Sequence, residues 1–254
     1  MIKLELPQEP TKLTDKKEEL TRRYVEASSN GKEIRVWAQP YIKEALLKMT
    51  HGKCAYAEVK LGVNGHRWDV EHFKCKSKHK ACVVEWGNLL PSCAFCNTNK
   101  GDYDVEASEP IVHPVFDCPR DHLFMRNGYL FAKDRMGEVT INVLGLNDVM
   151  MFARPRAELC TGLSKDIADC LRLIERCQTV ADRYEVRNKC RALLNAGLPD
   201  REYSATVATF LMCEQRDLVE EIEQQLGEWK LWDEHLEAAK QTLLSIALPA
   251  PHRQ

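Results

Sequence analysis

Between Cys54 and Asp104 the chain alternates short apolar runs with Gly, Cys, His and Asn in a way that neither a simple core nor a linker requires. Trp68-Asp69-Val70-Glu71-His72-Phe73 has the alternation of a strand. Gly87-Asn88-Leu89 follows, and then Cys93-Ala94-Phe95-Cys96-Asn97-Thr98-Asn99-Lys100-Gly101 sets a CxxC turn and an asparagine at the start of an expected helix. A strand sends successive side chains to opposite faces, so Asp69 and Glu71 share one face and His72 takes the other. Glu71 and His72 can therefore serve one centre only if the strand bends or ends there.

The residue types in that order suit metal-assisted hydrolysis. Glu71 and Asn97, with Asp69 beside them, offer donors to a Mg²⁺-class ion, which keeps several waters and accepts phosphate oxygens. His72 is the natural base to take a proton from water, since an imidazole ordinarily titrates near neutrality. Asn88 could orient that ring by accepting its second N–H. Each residue alone has a plainer reading: a Glu-His pair on a surface, an Asn that merely turns the chain. It is the succession, ending in CxxCN, that separates this stretch from chance.

The cysteines pose a second question. Cys93 and Cys96 are half of a Zn²⁺ site, and a closed structural site takes four ligands. Its other half would begin at Cys54, but Ala57 stands where the second thiol belongs. Cys54, Cys93 and Cys96 make three ligands; Cys75, Cys82 or His51 could be the fourth, or the thiols could simply pack. Cys160, Cys170, Cys177, Cys190 and Cys213 fall at or near apolar helical positions and read as core. No role emerges for Cys118.

Composition limits the rest. The chain has 254 residues, a net charge of -2 and eleven cysteines. No run approaches the roughly 18 apolar residues of a membrane span, and the first ten residues lack a secretory h-region. A cytoplasmic protein with reduced thiols is the expectation. Near-neutral charge argues against a broad DNA-binding face, because phosphate neutralisation dominates non-specific affinity. Basic charge is instead local: Lys74, Lys76, Lys78 and Lys80 follow His72, and with Lys100 they are the candidate phosphate contacts. Acidic residues dominate from Glu214 to Glu237, a run that usually marks a solvated face.

Along the chain, an extended arm of ten residues leads to a helix expected over Asp15–Asn30, with Asp15 and Glu18 at capping-box spacing and Gly31 as the stop. A second helix is expected over Pro40–Met49, with Pro40 in its first turn and Gly52 at its end. Asn127-Gly128 between Leu123–Arg126 and Tyr129–Phe131 predicts a hairpin, and Glu138–Val143 predicts a further strand. From Arg156 onward the apolar spacing is helical. Leu163, Ile167, Leu171, Ile174 and Cys177 form one seam, and Val207, Leu211, Leu218, Ile222, Trp229, Trp232, Leu236 and Leu243 form another. Gly197-Leu198-Pro199-Asp200 lies between them. The predicted class is α+β, divided into residues 1–155 and a helical region, 156–254.

GKCAYAEVKLG, WDVEHFKCKSK, EWGNLLPSCAFCNTNKGD, EPIVHP and VLGLN resemble the HNH (ββα-metal) nuclease subunits of bacterial anti-phage systems of the Septu type, the PtuB-like proteins, whose relatives also accompany some retrons. The resemblance covers about the first 155 residues and, more loosely, the remainder. It implies a ββα-metal core carrying N-terminal helices, a β-hairpin insertion and a C-terminal helical region. It also implies a metal-dependent DNA endonuclease working with an ABC/SMC-type (PtuA-like) ATPase. Glu71 would be a metal ligand, His72 the general base and Asn88 its orienting residue; Asn97 would stand where many HNH enzymes have their last histidine. Ala57 departs from the wider pattern. Two other functions fit the same residues: a zinc-knuckle scaffold without catalysis, and a nuclease acting on RNA or tRNA.

Overall fold

The computed structural model describes residues 1–63 and 67–249. In chain order the elements are α1 (Thr11–Ser29), α2 (Pro40–Met49), β1 (Trp68–His72), β2 (Leu89–Cys93), α3 (Ala94–Lys100), the single turn α4 (Pro119–His122), β3 (Leu123–Arg126), β4 (Tyr129–Ala132), α5 (Arg135–Leu144), α6 (Arg154–Arg176), α7 (Val180–Ala196), α8 (Ser204–Thr209), α9 (Arg216–Glu228) and α10 (Glu234–Ile246). The class is α+β, with two separate antiparallel pairs, β1-β2 and β3-β4. Among the described residues no helix is long and apolar enough to cross a membrane.

Two compact units emerge. One is built mainly from Lys3–Pro119 and Asp134–Leu146, the other mainly from Arg120–Lys133 and the chain from Asn147 onward.

In the first unit α1 begins at Thr11, earlier than the Asp15 start expected from the sequence, because Pro10 already turns the chain and accepts the Leu13 N–H at 2.7 Å. Asp15 and Glu18 thus sit exposed inside the helix instead of capping it, while Leu13, Leu20 and Tyr24 face inward. α2 matches its expectation. Pro40 opens it, and its end closes by a Gly52 N–H to Leu47 carbonyl bond of 2.7 Å, with Gly52 at φ 72°. That closure delivers the chain to Cys54.

The sheet register pairs Glu71 with Leu90 and His72 with Leu89. Pro91 is tolerated because a two-stranded pair has two edges, and its carbonyl accepts the Ala55 N–H at 2.9 Å. α2 packs on β2, α3 on both strands and α5 on α3.

The strand expected at Glu138–Val143 is a helix instead. Asp134 Oδ1 accepts the Gly137 N–H at 2.8 Å to cap α5, and Gly145 ends it in the left-handed region at φ 62°. Caps at both ends overrode the β-branched residues. Thr140 illustrates the result: its hydroxyl donates to Met136 O and accepts the Val112 N–H, both at 2.7 Å.

In the second unit the hairpin forms as expected, with Asn127 at φ 49° and Gly128 at φ 79°, a type I′ turn. A Cβ on Gly128 would lie 2.7 Å from the Ala157 nitrogen, so the turn also needs glycine for close approach to α6. The helical core contains Cys160, Leu163, Ile167, Cys170, Cys190 and Leu211, all buried. The first seam stops at Cys177, whose backbone is extended; Thr179 and Asp182 then form a capping box that starts α7. The second seam is divided among α8, the turn after it that holds Leu211, α9, the link with Trp229 and Trp232, and α10. Val207, Leu211, Ile222, Leu236 and Leu243 are buried as expected, whereas Leu218 is exposed. Trp229 and Trp232 pack against this core.

Candidate functional site

A polar cleft of about 450 Å³ opens in the first unit, lined among others by Asp69, Glu71, His72, Lys76, Asn97 and Asp102. Glu71 and His72 do share it, although they are sequence neighbours. β1 ends at His72, which is where the sequence required the strand to end for both to reach one centre. Asp69 lies on the same strand, and Asn97 reaches it from α3, donating its Nδ2 to Asp69 Oδ2 at 3.5 Å. That bond leaves the Asn97 carbonyl oxygen available to a cation.

Glu71 is 3% exposed, and its Oε1 lies 2.6 Å from Lys100 Nζ. Burial pushes the carboxyl up to about 7, against the opposing pull of Lys100. Lys100 is itself buried at 2% exposure and donates to the His72 carbonyl at 2.9 Å. It is an internal cation, where the sequence suggested a surface contact for phosphate.

His72 is buried, its ring edge-on to Trp37 at a centroid distance of 4.6 Å. Its Nε2–H donates to the Val83 carbonyl at 3.0 Å. The neutral ring therefore carries its lone pair on Nδ1. Burial depresses its pKa to about 3, so the ring stays neutral across the physiological range.

The orienting partner of His72 is thus Val83 and not Asn88. Asn88 Oδ1 accepts the Lys74 N–H at 2.7 Å, and its Nδ2 donates to Cys82 O at 2.9 Å and Lys74 O at 3.3 Å. The carboxamide pins both ends of the loop from Lys74 to Cys82, which leads directly to Val83. Asn88 acts on the imidazole through that loop.

The lysines do not form one basic edge. Lys76 lines the cleft, with its ammonium 5.7 Å from the Trp37 ring centre. Lys74 pairs with Glu106, Lys78 is exposed, and Lys80 is half-buried in a short helical turn. Arg35 and Arg67 also line the cleft. Sequence reading missed both; Arg67 adjoins the motif, whereas nothing local marks Arg35.

Cys54, Cys93 and Cys96 converge, with their sulfurs within 4.8 Å of one another and all three buried. The Ala57 N–H points at Cys54 Sγ from 3.5 Å, so the Cys54–Ala57 turn keeps the shape of a metal knuckle without its second thiol. Burial would raise the Cys54 thiol, but hydrogen bonds from Cys93, Cys96 and Ala57 outweigh it and hold the group well below the ordinary value. Its hydrogen bond with Cys54 pushes Cys93 up to about 12, and burial holds Cys96 well above the ordinary thiol value. Three buried thiols crowded together in this way are a donor set that could hold a thiophilic cation. Among the described residues no His, Asp, Glu or further Cys completes the group. Cys82 and His51 stay apart, and Cys75 joins a different cluster.

One residue outside the expected set supports the site from behind. His113, in the EPIVHP run, donates Nε2–H to Gly87 O at 3.2 Å and accepts the Val115 N–H on Nδ1 at 3.1 Å. It is packed between Phe73 and Phe116 and braces the turn that presents Asn88.

No family model matches the chain. Over 216 residues it is 37% identical to the Septu protein PtuB of Bacillus thuringiensis, an alignment spanning 83% of this chain and 82% of that protein. Over 141 residues it is 30% identical to the Septu protein PtuB of Bacillus mycoides (strain KBAB4), spanning 42% of this chain and 46% of that one. The extent and identity of the first match, taken with the cleft that gathers Asp69, Glu71, His72 and Asn97, lead to one conclusion: this chain belongs to the family of the Septu protein PtuB.

Proposed function

We propose that this protein is the HNH-type nuclease component of a cytoplasmic Septu anti-phage system, hydrolysing phosphodiester bonds of DNA with a divalent metal. It would work together with an ABC/SMC-type ATPase. The carrying observation is the pairing at the end of β1. A buried carboxylate and a neutral histidine with its lone pair on Nδ1 line one polar cleft, with Asp69 and Asn97 beside them.

The donor set fits a hard cation. Glu71, Asp69 and the Asn97 carbonyl supply oxygen, and a buried carboxyl that resists ionisation is one that an added positive charge would favour. Bound there, Mg²⁺ or a related ion would stabilise negative charge on the phosphoryl group. His72 Nδ1 accepts a proton from water, whose oxygen bonds to phosphorus as the bond to the leaving oxygen breaks. Val83 and the loop clamped by Asn88 hold the ring in the tautomer this requires. Lys76, Arg35 and Arg67 supply positive charge along the walls.

The partner follows from charge and from family membership. The net charge is -2, and two of the five candidate phosphate contacts, Lys100 and Lys74, are committed to Glu71 and Glu106, so the basic surface beside the site is small. An ATPase would supply the missing basic surface and the switch. Much of the acidity of the helical unit is neutralised within it: Glu220 by Arg216, Glu223 by Lys240, Asp233 by Arg187. Asp217, Glu221 and Glu234 remain exposed, and the proposal gives this residual acidity to the contact with that partner. A catalytically silent scaffold is the competing reading, and it draws on the same ion pair, since Lys100 already neutralises Glu71.

Nicking of supercoiled plasmid by the purified chain, with and without its ATPase and with Mg²⁺ or chelator, tests the proposal. Metal-dependent nicking that disappears in His72→Asn is expected. Undiminished nicking by that variant, or none by the complete complex under any divalent metal, leaves the scaffold as the better account. Parallel RNA and tRNA substrates decide the class of nucleic acid.

A further inference from the structure

We propose that Cys75, His79 and Asp104 form a second metal site, of the Zn²⁺ class, which clips the loop after β1 to the loop after α3. One donor atom from each lies within 4.8 Å of the others. Tetrahedral zinc with Zn–S near 2.3 Å and Zn–N near 2.0 Å needs donor separations of roughly 3.3–3.8 Å. Seating an ion among them takes movements of about 1 Å, including an opening of the 2.7 Å contact between His79 Nε2 and Asp104 Oδ1.

The local backbone explains why the donors meet. The Lys78 and His79 N–H groups both bond to the Cys75 carbonyl, at 3.2 and 2.9 Å, so Cys75 and His79 sit on one turn four residues apart. The ends of this loop are held independently by Asn88, through Lys74 and Cys82. The donors are thus arranged before any ion arrives. His79 Nε2 lies 2.7 Å from Asp104 Oδ1, and Glu106 Oε2 lies 3.4 Å from Nδ1. A carboxylate on the second nitrogen is the usual way a metal-bound imidazole is oriented. Glu106 is in turn fixed by Lys74.

The chemistry selects the ion. A thiol, an imidazole and a carboxylate together suit borderline-soft Zn²⁺ and not Mg²⁺, which avoids sulfur. Cys75 is 2% exposed, and the His79 and Asp104 side chains are each 18% exposed. Three protein donors with partial access leave a fourth position for water. None of these residues belongs to the cluster of Cys54, Cys93 and Cys96, and Cys75 borders the cleft that holds Glu71 and His72. Its place gives it a purpose. The clipped loop runs on to Val83, whose carbonyl fixes the His72 ring, so a bound ion would stiffen the arm that positions that ring.

The test uses the full chain, stripped by chelator and titrated with Zn²⁺ and, for its thiolate-to-metal absorption, with Co²⁺. Cys75→Ser and His79→Gln are each expected to lose one equivalent of bound Zn²⁺ and part of the thiolate band. Cys93→Ser should keep that equivalent. His79→Gln alters a partly exposed side chain and decides the matter if Cys75→Ser does not fold, with circular dichroism as the check. Unchanged stoichiometry and absorption in a folded His79→Gln, or a native chain that binds neither ion with a thiolate band, overturns the proposal and leaves an ion-pair network beside a buried thiol.

Discussion

The two units hold their cysteines for opposite reasons. In the helical unit Cys160, Cys170 and Cys190 sit among leucines and isoleucines, and burial pushes their thiols up to between about 11 and 12. They behave as small apolar side chains. In the other unit Cys54, Cys93 and Cys96 face one another, and hydrogen bonds among them outweigh burial at Cys54. The contrast extends beyond sulfur. The helical unit is a core of interdigitated apolar residues whose polar groups mostly lie outside. Around β1 and α3 the interior contains Glu71, His72, Asn88, Lys100 and His113, each tied to a named partner. One region should answer to volume, the other to individual bonds.

The largest effect that would sharpen this contrast is chemical. His72→Asn should lower cleavage by about 10²–10⁴-fold, the usual contribution of a general base, and leave the far-ultraviolet spectrum of the helical region unchanged. Asn is preferable to Ala because His72 packs edge-on against Trp37, and truncation would add a cavity. Next comes Leu211→Ala. Leu211 is completely buried in the helical core, and its truncation should destabilise by about 2–5 kcal/mol in denaturant unfolding. Cleavage per folded molecule should not change. If that variant lost activity in proportion to stability even at low temperature, the two regions would not be as independent as their cores suggest.

A third effect, of about 3 kcal/mol, concerns acid. Burial lowers the His113 pKa to about 4, below the 6.5 of an unfolded histidine. The unfolded chain takes up this proton first, so the contribution is fully present above about pH 6.5 and is lost as pH falls towards 4. Denaturant melts across that window should steepen in the native protein and flatten in His113→Gln. A pH slope unchanged by the substitution would refute the assignment. The smallest effect is local to the helical unit. Thr179→Ala removes the side-chain half of the α7 capping box and should cost about 1 kcal/mol, readable as a lowered melting temperature without change in nicking.

How much of this was legible before folding depends on the kind of residue. α2, the β1 strand, the Asn127-Gly128 hairpin and most of the buried seam residues could be read directly, because periodicity and turn chemistry are local. α5 was misread because its capping residues, Asp134 and Gly145, lie outside the alternating run that suggested a strand. In the site, Asp69, Glu71, His72, Lys76 and Asn97 were visible, but Arg35, Arg67 and the hydrogen-bond partners were not. Asn88 was expected on the imidazole and is found on the loop. Lys100 was expected on phosphate and is found buried against Glu71. Such pairings join positions 6 residues apart, as Asn88 and Cys82 are, or 28 apart, as Lys100 and His72 are, and nothing in the local spacing specifies which oxygen a buried donor will meet. The Cys75, His79 and Asp104 group escaped notice for the same reason: Asp104 belongs to a different loop.

The Lys100–Glu71 pair has one more consequence. Because the pocket already contains its own counter-ion, the fold is charge-balanced without a ligand and can be built and stored in that form. If the proposed divalent ion binds there, Lys100 would have to release the Glu71 oxygen it now holds. Anything that draws Lys100 away from Glu71, such as a movement of α3, would raise the site's affinity for metal without touching a ligand. Under the metal-dependent reading proposed above, the pair would act as a latch on the pocket, with the end of a seven-residue helix as its handle.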